Sequence, residues 1–224
     1  MPDGPAQGEP APRKVSVFVD PACPWTWITA QWLREVAPHR NLHLHWRSLS
    51  LQLRDGDELP QAIPAQFRAA AAAARTESHR LLRVFEALRA SAQEAHIDGL
   101  YRLWGERVFG PSRSPQPSRP GLTGEIVASA GLPDTWAASA DDPAWDAAIT
   151  AAMNEATQAA GHSLSSPTIV LDTVPAVGFT GPVFSTAPTG RAALRAWDAV
   201  NSQLTEPGFI ELSRPRTALV MAQA

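Results

Sequence analysis

The residues best suited to chemistry sit together in "DPACPWT", residues 20–26. A thiol, Cys23, follows a carboxyl by three residues and precedes a hydroxyl by three. Redox thiols commonly come in pairs spaced C-x-x-C. Here the second position is Thr26, and Cys23 is the only cysteine in the chain. A lone thiol can attack a disulfide, a peroxide or an electrophile, but no internal partner releases the product. Position makes this one a candidate for more than packing. "VSVFVD" reads as a short buried strand, and Pro24 suits a first helical turn, where its missing N–H costs nothing. Cys23 then falls at the helix start, where unpaired N–H groups and the positive dipole end favour a thiolate.

The elements that must hold this segment follow from the hydrophobic spacing. Trp25, Ile28, Trp32, Leu33 and Val36 recur at helical spacing until Pro38 stops the pattern. "NLHLHWRSLSL" alternates Leu42, Leu44 and Trp46 against His43, His45 and Arg47, as a strand does. Strand, helix, strand allows a right-handed parallel crossover. A long helical stretch comes next: the alanine-rich residues 66–74, then Leu81, Leu82, Phe85 and Leu88 on one face, then residues 101–108. Thr123 is expected to cap a short helix through Ile126 and Val127. Asp142-Pro143 opens another, with Ile149, Ala152 and Ala156 in its stripe and Gly161 as its stop. "GPSRSPQPSRPG", residues 110–121, repeats proline too often for helix or inner strand, leaving a lid or a disordered loop. "SSPTIVL" and "AVGFTGP" predict a hairpin, and Leu194, Trp197 and Val200 a last helix.

The order β-α-β, helices, β-β-α predicts an α/β fold interrupted by a helical insertion too long to be a loop. Its parts are a tail at 1–14, a first sheet-bearing part at 15–56, the insertion at 57–161, a second part at 162–217 and a tail at 218–224. With 224 residues, 44% of them hydrophobic, the chain can bury a sizeable core. A net charge of −3 leaves no basic footprint for nucleic acid. No apolar run reaches membrane-spanning length, the start lacks a signal-peptide core, and one cysteine forbids an internal disulfide; together these favour the cytoplasm. A homodimer stays open. His43 and His45 share a strand face, but no third ligand has a recognisable spacing, so no metal is expected. No phosphate loop, dinucleotide fingerprint or serine-nucleophile elbow occurs.

"DPACPW" after a strand resembles the active-site turn of the thioredoxin superfamily in its DsbA-like branch, whose insertion the helical block would be. "FVDPACPWTWITAQWLREV", "SPTIVL", "GFTGPVFS", "RAALRAWDAV" and "FIELSRPRT" are similar to actinobacterial mycothiol-dependent nitroreductases of that branch. These stretches bracket the insertion. The relatives carry a second cysteine at the position of Thr26. The resemblance implies that Pro167 is a cis-proline facing Cys23, and that the Ser166 backbone pairs with a peptide-like part of a thiol cofactor, mycothiol or glutathione. Pro24 and Trp25 would border that cofactor, with Trp25 exposed.

Thr26 is expected to donate a hydrogen bond to the Cys23 thiolate. Asp20 would tune proton transfer or cap a turn. Trp27 and Trp104 would wall a substrate pocket or pack in the core, and His162 would reach the pocket as acid or base. Three readings follow. Cys23 is a monothiol oxidoreductase centre, released by an external low-molecular-weight thiol and acting on a small organic molecule. Or the site is redox-neutral, like the kappa-class glutathione transferases and chromene-carboxylate isomerases that share the fold: an isomerase, cyclase or thiol-conjugating enzyme of specialised metabolism. Or the protein is a binder that lost catalysis with its second cysteine.

Overall fold

Strand β1 (Arg13–Val19) and strand β2 (Leu42–Ser48) flank helix α1 (Pro24–Val36), and they pair in parallel, with Val15 opposite Leu44 and Val19 opposite Ser48. This is the crossover that the sequence predicts. The structure is a computed structural model and describes residues 13–61, 63–110, 119–161, 164–206 and 208–210. After β2 come α2 (Leu51–Asp55), the 26-residue α3 (Ala65–Ala90), α4 (Ile97–Phe109), α5 (Leu122–Ser129), α6 (Asp134–Ala138) and α7 (Asp146–Ala160). Strands β3 (Thr168–Leu171) and β4 (Val177–Thr180) then form the expected hairpin, and α8 (Gly190–Leu204) closes the described chain. The sheet order is β2-β1-β3-β4; β3 runs antiparallel to β1, with Ile169 opposite Val17.

Alternation along β1 decides which helices cover which face. Val15, Val17 and Val19 are fully buried in one cluster with Trp32, Leu33 and Val36 of α1, Trp197 of α8, and Phe85, Tyr101 and Trp104 of the helical block. The insertion therefore shares its core with the sheet. Phe18 points the other way, into a smaller cluster with Leu49 and with Ala152 and Ala156 of α7. Gly178 lets α7 approach β4: a Cβ there would lie 2.5 Å from the Ala159 carbonyl carbon.

Helix α3 carries an apolar stripe and also a line of buried polar groups against the sheet. Ser78 donates to Asp20 at the end of β1 (2.5 Å), and His79 pairs with Ser50 just after β2 (2.9 Å). Ser48 donates to Glu86 (2.5 Å), and Arg89 donates to the Trp46 carbonyl (2.7 Å). Positions 78, 79, 86 and 89 share one face at 3.6 residues per turn. A slip of α3 along the sheet would break all four contacts together and leave buried polar groups unpaired.

One expected cap is different. Gly121, not Thr123, is the N-cap of α5. Glu77 of α3 satisfies that helix end by accepting from the backbone N–H groups of Gly121 (3.3 Å) and Thr123 (2.9 Å), while the Thr123 hydroxyl donates back to the Glu77 carbonyl. A buried carboxylate from another helix outcompetes the local hydroxyl because it accepts two donors at the positive helix end. Among the described residues no helix is long and apolar enough to cross a membrane. Of the loop at 110–121, residues 111–118 lie outside the described residues, as does His162.

Candidate active site

Cys23 is the N-cap of α1 and Pro24 its first residue, as expected from the strand-to-proline spacing. The thiol is 7% exposed. Its backbone N–H donates to the Asp20 carbonyl (2.9 Å), which closes a tight turn between β1 and α1. The Cys23 side chain does not cap its own helix; Sγ donates instead to the Ser166 carbonyl, 3.7 Å away. The Ser166–Pro167 peptide is cis, and Ser166 and Pro167 are both buried. The structure thus brings Cys23, Ser166 and Pro167 together across 143 residues of chain.

Thr26 takes a different partner from the one expected. Its hydroxyl, fully buried, pairs with the Ser166 hydroxyl and not with the thiol. Ser166 is the hub of the site: its carbonyl accepts from Cys23, and its Oγ pairs with Thr26 and accepts the Asp20 N–H (3.3 Å). The cis junction is held from the far side too. Gly181 donates to the Pro167 carbonyl (2.9 Å), and the Thr29 hydroxyl donates to the Pro182 carbonyl (2.8 Å).

Asp20 sits under this turn, 1% exposed. Oδ1 accepts from the Ala22 N–H (2.8 Å) and the Ser78 hydroxyl (2.5 Å), and Oδ2 accepts from the Leu51 N–H (2.7 Å). Of its two expected roles, capping the turn is the one with a bond: Ala22 is two residues on, the Asx-turn spacing. Burial pushes the carboxyl above its usual range, against the pull of Ser78, Leu51, Ala22 and the Arg75 charge.

The tryptophans divide. Trp25, the second residue of α1, is half-buried rather than exposed. Trp27 is 8% exposed, edge-on to Tyr101 with ring centroids 5.8 Å apart, and Trp104 is fully buried. Both are core residues, not pocket walls, since large apolar rings at the α1–α4 contact are worth most out of water. His43 and His45 lie with ring centroids 6.5 Å apart, His45 facing Glu94 at 3.7 Å.

Sequence reasoning missed three contributors. Ser78 belongs to an alanine-rich helix. Arg54 on α2 donates to the Leu164 carbonyl (3.0 Å), two residues before Ser166. Its charge is reinforced by Asp55 first, and also by Cys23 and Asp20. The third is a line from Ser50 through His79 to Asp146, with His79 Nδ1 at 2.9 Å from Ser50 and Nε2 at 3.0 Å from Asp146. It resembles a serine-hydrolase relay, but Ser50 is fully buried and already accepts the Leu53 N–H as the N-cap of α2. The line is a tether between helices. For Ser78 and His79 the signal is "TESHR", polar residues interrupting an apolar helix face. Two cavities, of about 480 and 460 Å3, lie beside β2 and between α2 and α3; Cys23 lines neither.

The family described as "Rv2466c-like: Mycothiol-dependent nitroreductase Rv2466c" matches residues 22–214. The chain is 28% identical over 209 residues to "Uncharacterized protein Rv2286c" of Mycobacterium tuberculosis, covering 91% of this chain and 82% of that protein. Its fold is similar to that of a probable DsbA oxidoreductase, SCO1869, from Streptomyces coelicolor, with TM-score 0.56, 22% identity, and 90% and 94% of the two chains covered. It is also similar to a 2-hydroxychromene-2-carboxylate isomerase, with TM-score 0.51, 14% identity, and 85% and 95% covered. At these identities the structural likenesses establish the thioredoxin-like α/β fold with its helical insertion, and not an activity.

Proposed function

This chain belongs to the Rv2466c-like family, whose description is that of a mycothiol-dependent nitroreductase, and from that premise we propose that it is a monothiol enzyme acting through Cys23 on a small organic molecule. A thiol-dependent redox enzyme is the class that the membership supports. The monothiol character rests on one observation: behind Cys23, where a resolving thiol would stand, the Thr26 hydroxyl is paired with Ser166.

In this reading Cys23 and one small thiol are joined as a mixed disulfide, and the two electrons and two protons that they give up pass to the substrate, a nitro group becoming a nitroso group and one water. The mixed disulfide at Cys23 is then opened from outside by a second small thiol, because Thr26 offers none. Net, two thiols become one disulfide, delivering two electrons and two protons to the substrate. Mycothiol, the thiol in the family's description, is the preferred cofactor over glutathione. The fit lies at Ser166: once the thiol is ionised or bridged, its carbonyl loses the Cys23 donor and can accept an amide N–H of a cysteinyl compound. Cys23, Pro24, Trp25, Ser166 and Pro167 would line the contact. Residues 15–56 and 162–217 carry this site, and 57–161 are the inserted block.

The test is intact-mass analysis after exposure to mycothiol disulfide, followed by thiol-driven reduction of a nitroaromatic. A single adduct that Cys23→Ser lacks, with activity lost in the same variant, is expected. Full activity in Cys23→Ser overturns the reading.

A redox-neutral isomerase, cyclase or thiol-conjugating enzyme is the second reading, favoured by the same Thr26–Ser166 pair, which leaves the thiol without a redox partner. It predicts turnover without oxidation of the added thiol, whereas the first reading oxidises two thiols for every two electrons transferred.

A further inference from the structure

Ser78 is fully buried in the middle of α3, 55 residues beyond Cys23 and outside the motif, yet it is built into the turn that carries the thiol. We infer that Ser78 is a positioning residue for Cys23, through which the inserted helical block sets the geometry of the thiol; the inference rests on the reading of Cys23 as a working thiol.

The hydroxyl makes two directional bonds. It accepts the Ala22 N–H (3.0 Å) and donates to Asp20 Oδ1 (2.5 Å). Asp20 Oδ1 accepts the same Ala22 N–H (2.8 Å), so Ser78, Asp20 and Ala22 close a ring of three hydrogen bonds. The neighbours of the ring are the parts of the site. Asp20 accepts the Cys23 N–H through its carbonyl and donates its own N–H to Ser166 Oγ (3.3 Å), and Oδ2 holds the first residue of α2. The thiol at the end of this turn is aimed at the Ser166 carbonyl.

The alternative, that Ser78 is merely a satisfied polar group in a packed helix, gives it no reason to meet the catalytic turn rather than its own helix. A buried serine can donate to the carbonyl four residues before it. Ser78 instead reaches out of α3 in both bonds. It cannot drift, because α3 is fixed to the sheet by His79, Glu86 and Arg89 as well. Without the hydroxyl, Asp20 Oδ1 keeps one donor in a place closed to water. The carboxyl then rotates or takes up a proton, and the turn that aims Sγ loosens.

The experiment uses the single thiol as its own reporter. Full-length protein is mixed with dithiodipyridine, and release of thiopyridone is followed from pH 6 to pH 9, folded and in guanidinium. Cys23 attacks, the reagent's sulfur–sulfur bond breaks, and thiopyridone leaves with the electron pair. Ser78→Ala is expected to slow the folded reaction roughly tenfold and to shift its pH profile, the scale of one hydrogen bond to a buried carboxyl. Its rate in guanidinium is expected to match the parent's. Ser78→Thr, which keeps the hydroxyl, is expected to stay within about threefold of the parent. Folded Ser78→Ala matching the parent in rate and profile, both far faster than unfolded protein, overturns the positioning role alone. A parent that reacts no faster folded than unfolded overturns the working-thiol reading and this inference with it. If Ser78→Ala does not fold, Ser78→Thr decides: a tenfold loss with the hydroxyl retained also overturns the inference.

Discussion

The hydroxyls of Thr26 and Ser166 face one another in a space closed to solvent, one from the first turn of α1 and one from the residue before the cis-proline. Their pairing satisfies two buried polar groups at once. It also settles which atom is free to serve Cys23: the Ser166 carbonyl, since both hydroxyls are engaged.

Substituting Thr26→Cys returns a thiol to the third position after Cys23 and removes a hydroxyl from the Ser166 pair. The variant is expected to form an internal disulfide between Cys23 and the introduced thiol under mild oxidation. Thiol titration and intact mass without reductant check this: both thiols should be lost together. Two persisting free thiols would count against the relation of this site to a dithiol ancestor.

Gly105 lies against the face of Trp27. A Cβ there would come within 2.1 Å of the Trp27 ring, which is wedged against Tyr101 and has no flexible end to swing aside. Gly105→Ala is expected to destabilise the fold by about 1–3 kcal/mol, the usual cost of overpacking. Because Trp27 follows Thr26 directly, the same variant should also slow the reaction of Cys23. Denaturant melts and thiol titration rates measure the two effects separately.

Replacing Asp20 by Ala strips the acceptor from the Leu51 N–H and from the Ser78 hydroxyl. Buried donors left unpaired cost about 1–3 kcal/mol each, so a clear drop in the denaturation midpoint is expected. The pH dependence carries a second signature. Burial raises the Asp20 carboxyl in the folded chain, so the folded state holds a proton that the unfolded state releases above pH 3.8. Stability from this group is therefore full below that value and is lost as pH rises through the folded one. The variant should flatten that part of the stability curve; an unchanged slope would place the effect elsewhere.

His79 behaves in the opposite sense. Burial first, and the Arg83 charge, hold it below its ordinary value of 6.5, against the pull of Asp146. The unfolded chain then binds the extra proton, so the contribution of neutral His79 is complete above pH 6.5 and drains as pH falls through the folded value. His45 is shifted the same way by burial. Loss of stability on acidification below pH 6.5, reduced in His79→Gln, is the expected result of melts across pH.

Much of the fold was legible in the sequence because its signals are local. The alternation in residues 42–47, the spacing from Trp25 to Val36 and the proline at 24 each depend on neighbours a few residues away. Together they give the parallel crossover and the place of Cys23, as "SSPTIVL" and "AVGFTGP" give the hairpin. The cap of α5 is not local in this way: Thr123 has the right residue type, but its competitor, Glu77, lies 46 residues away.

By itself the sequence determined that this protein has one thiol, that the thiol begins a helix, and that no second thiol can resolve its products. Tertiary structure decided what that thiol faces. Hydrogen bonds between Cys23 and Ser166, Thr26 and Ser166, and Asp20 and Ser78 join residues 58 to 143 positions apart. No periodicity or spacing encodes such pairs; they form because folding removes water and leaves each buried polar group only the partners that the packing brings within reach.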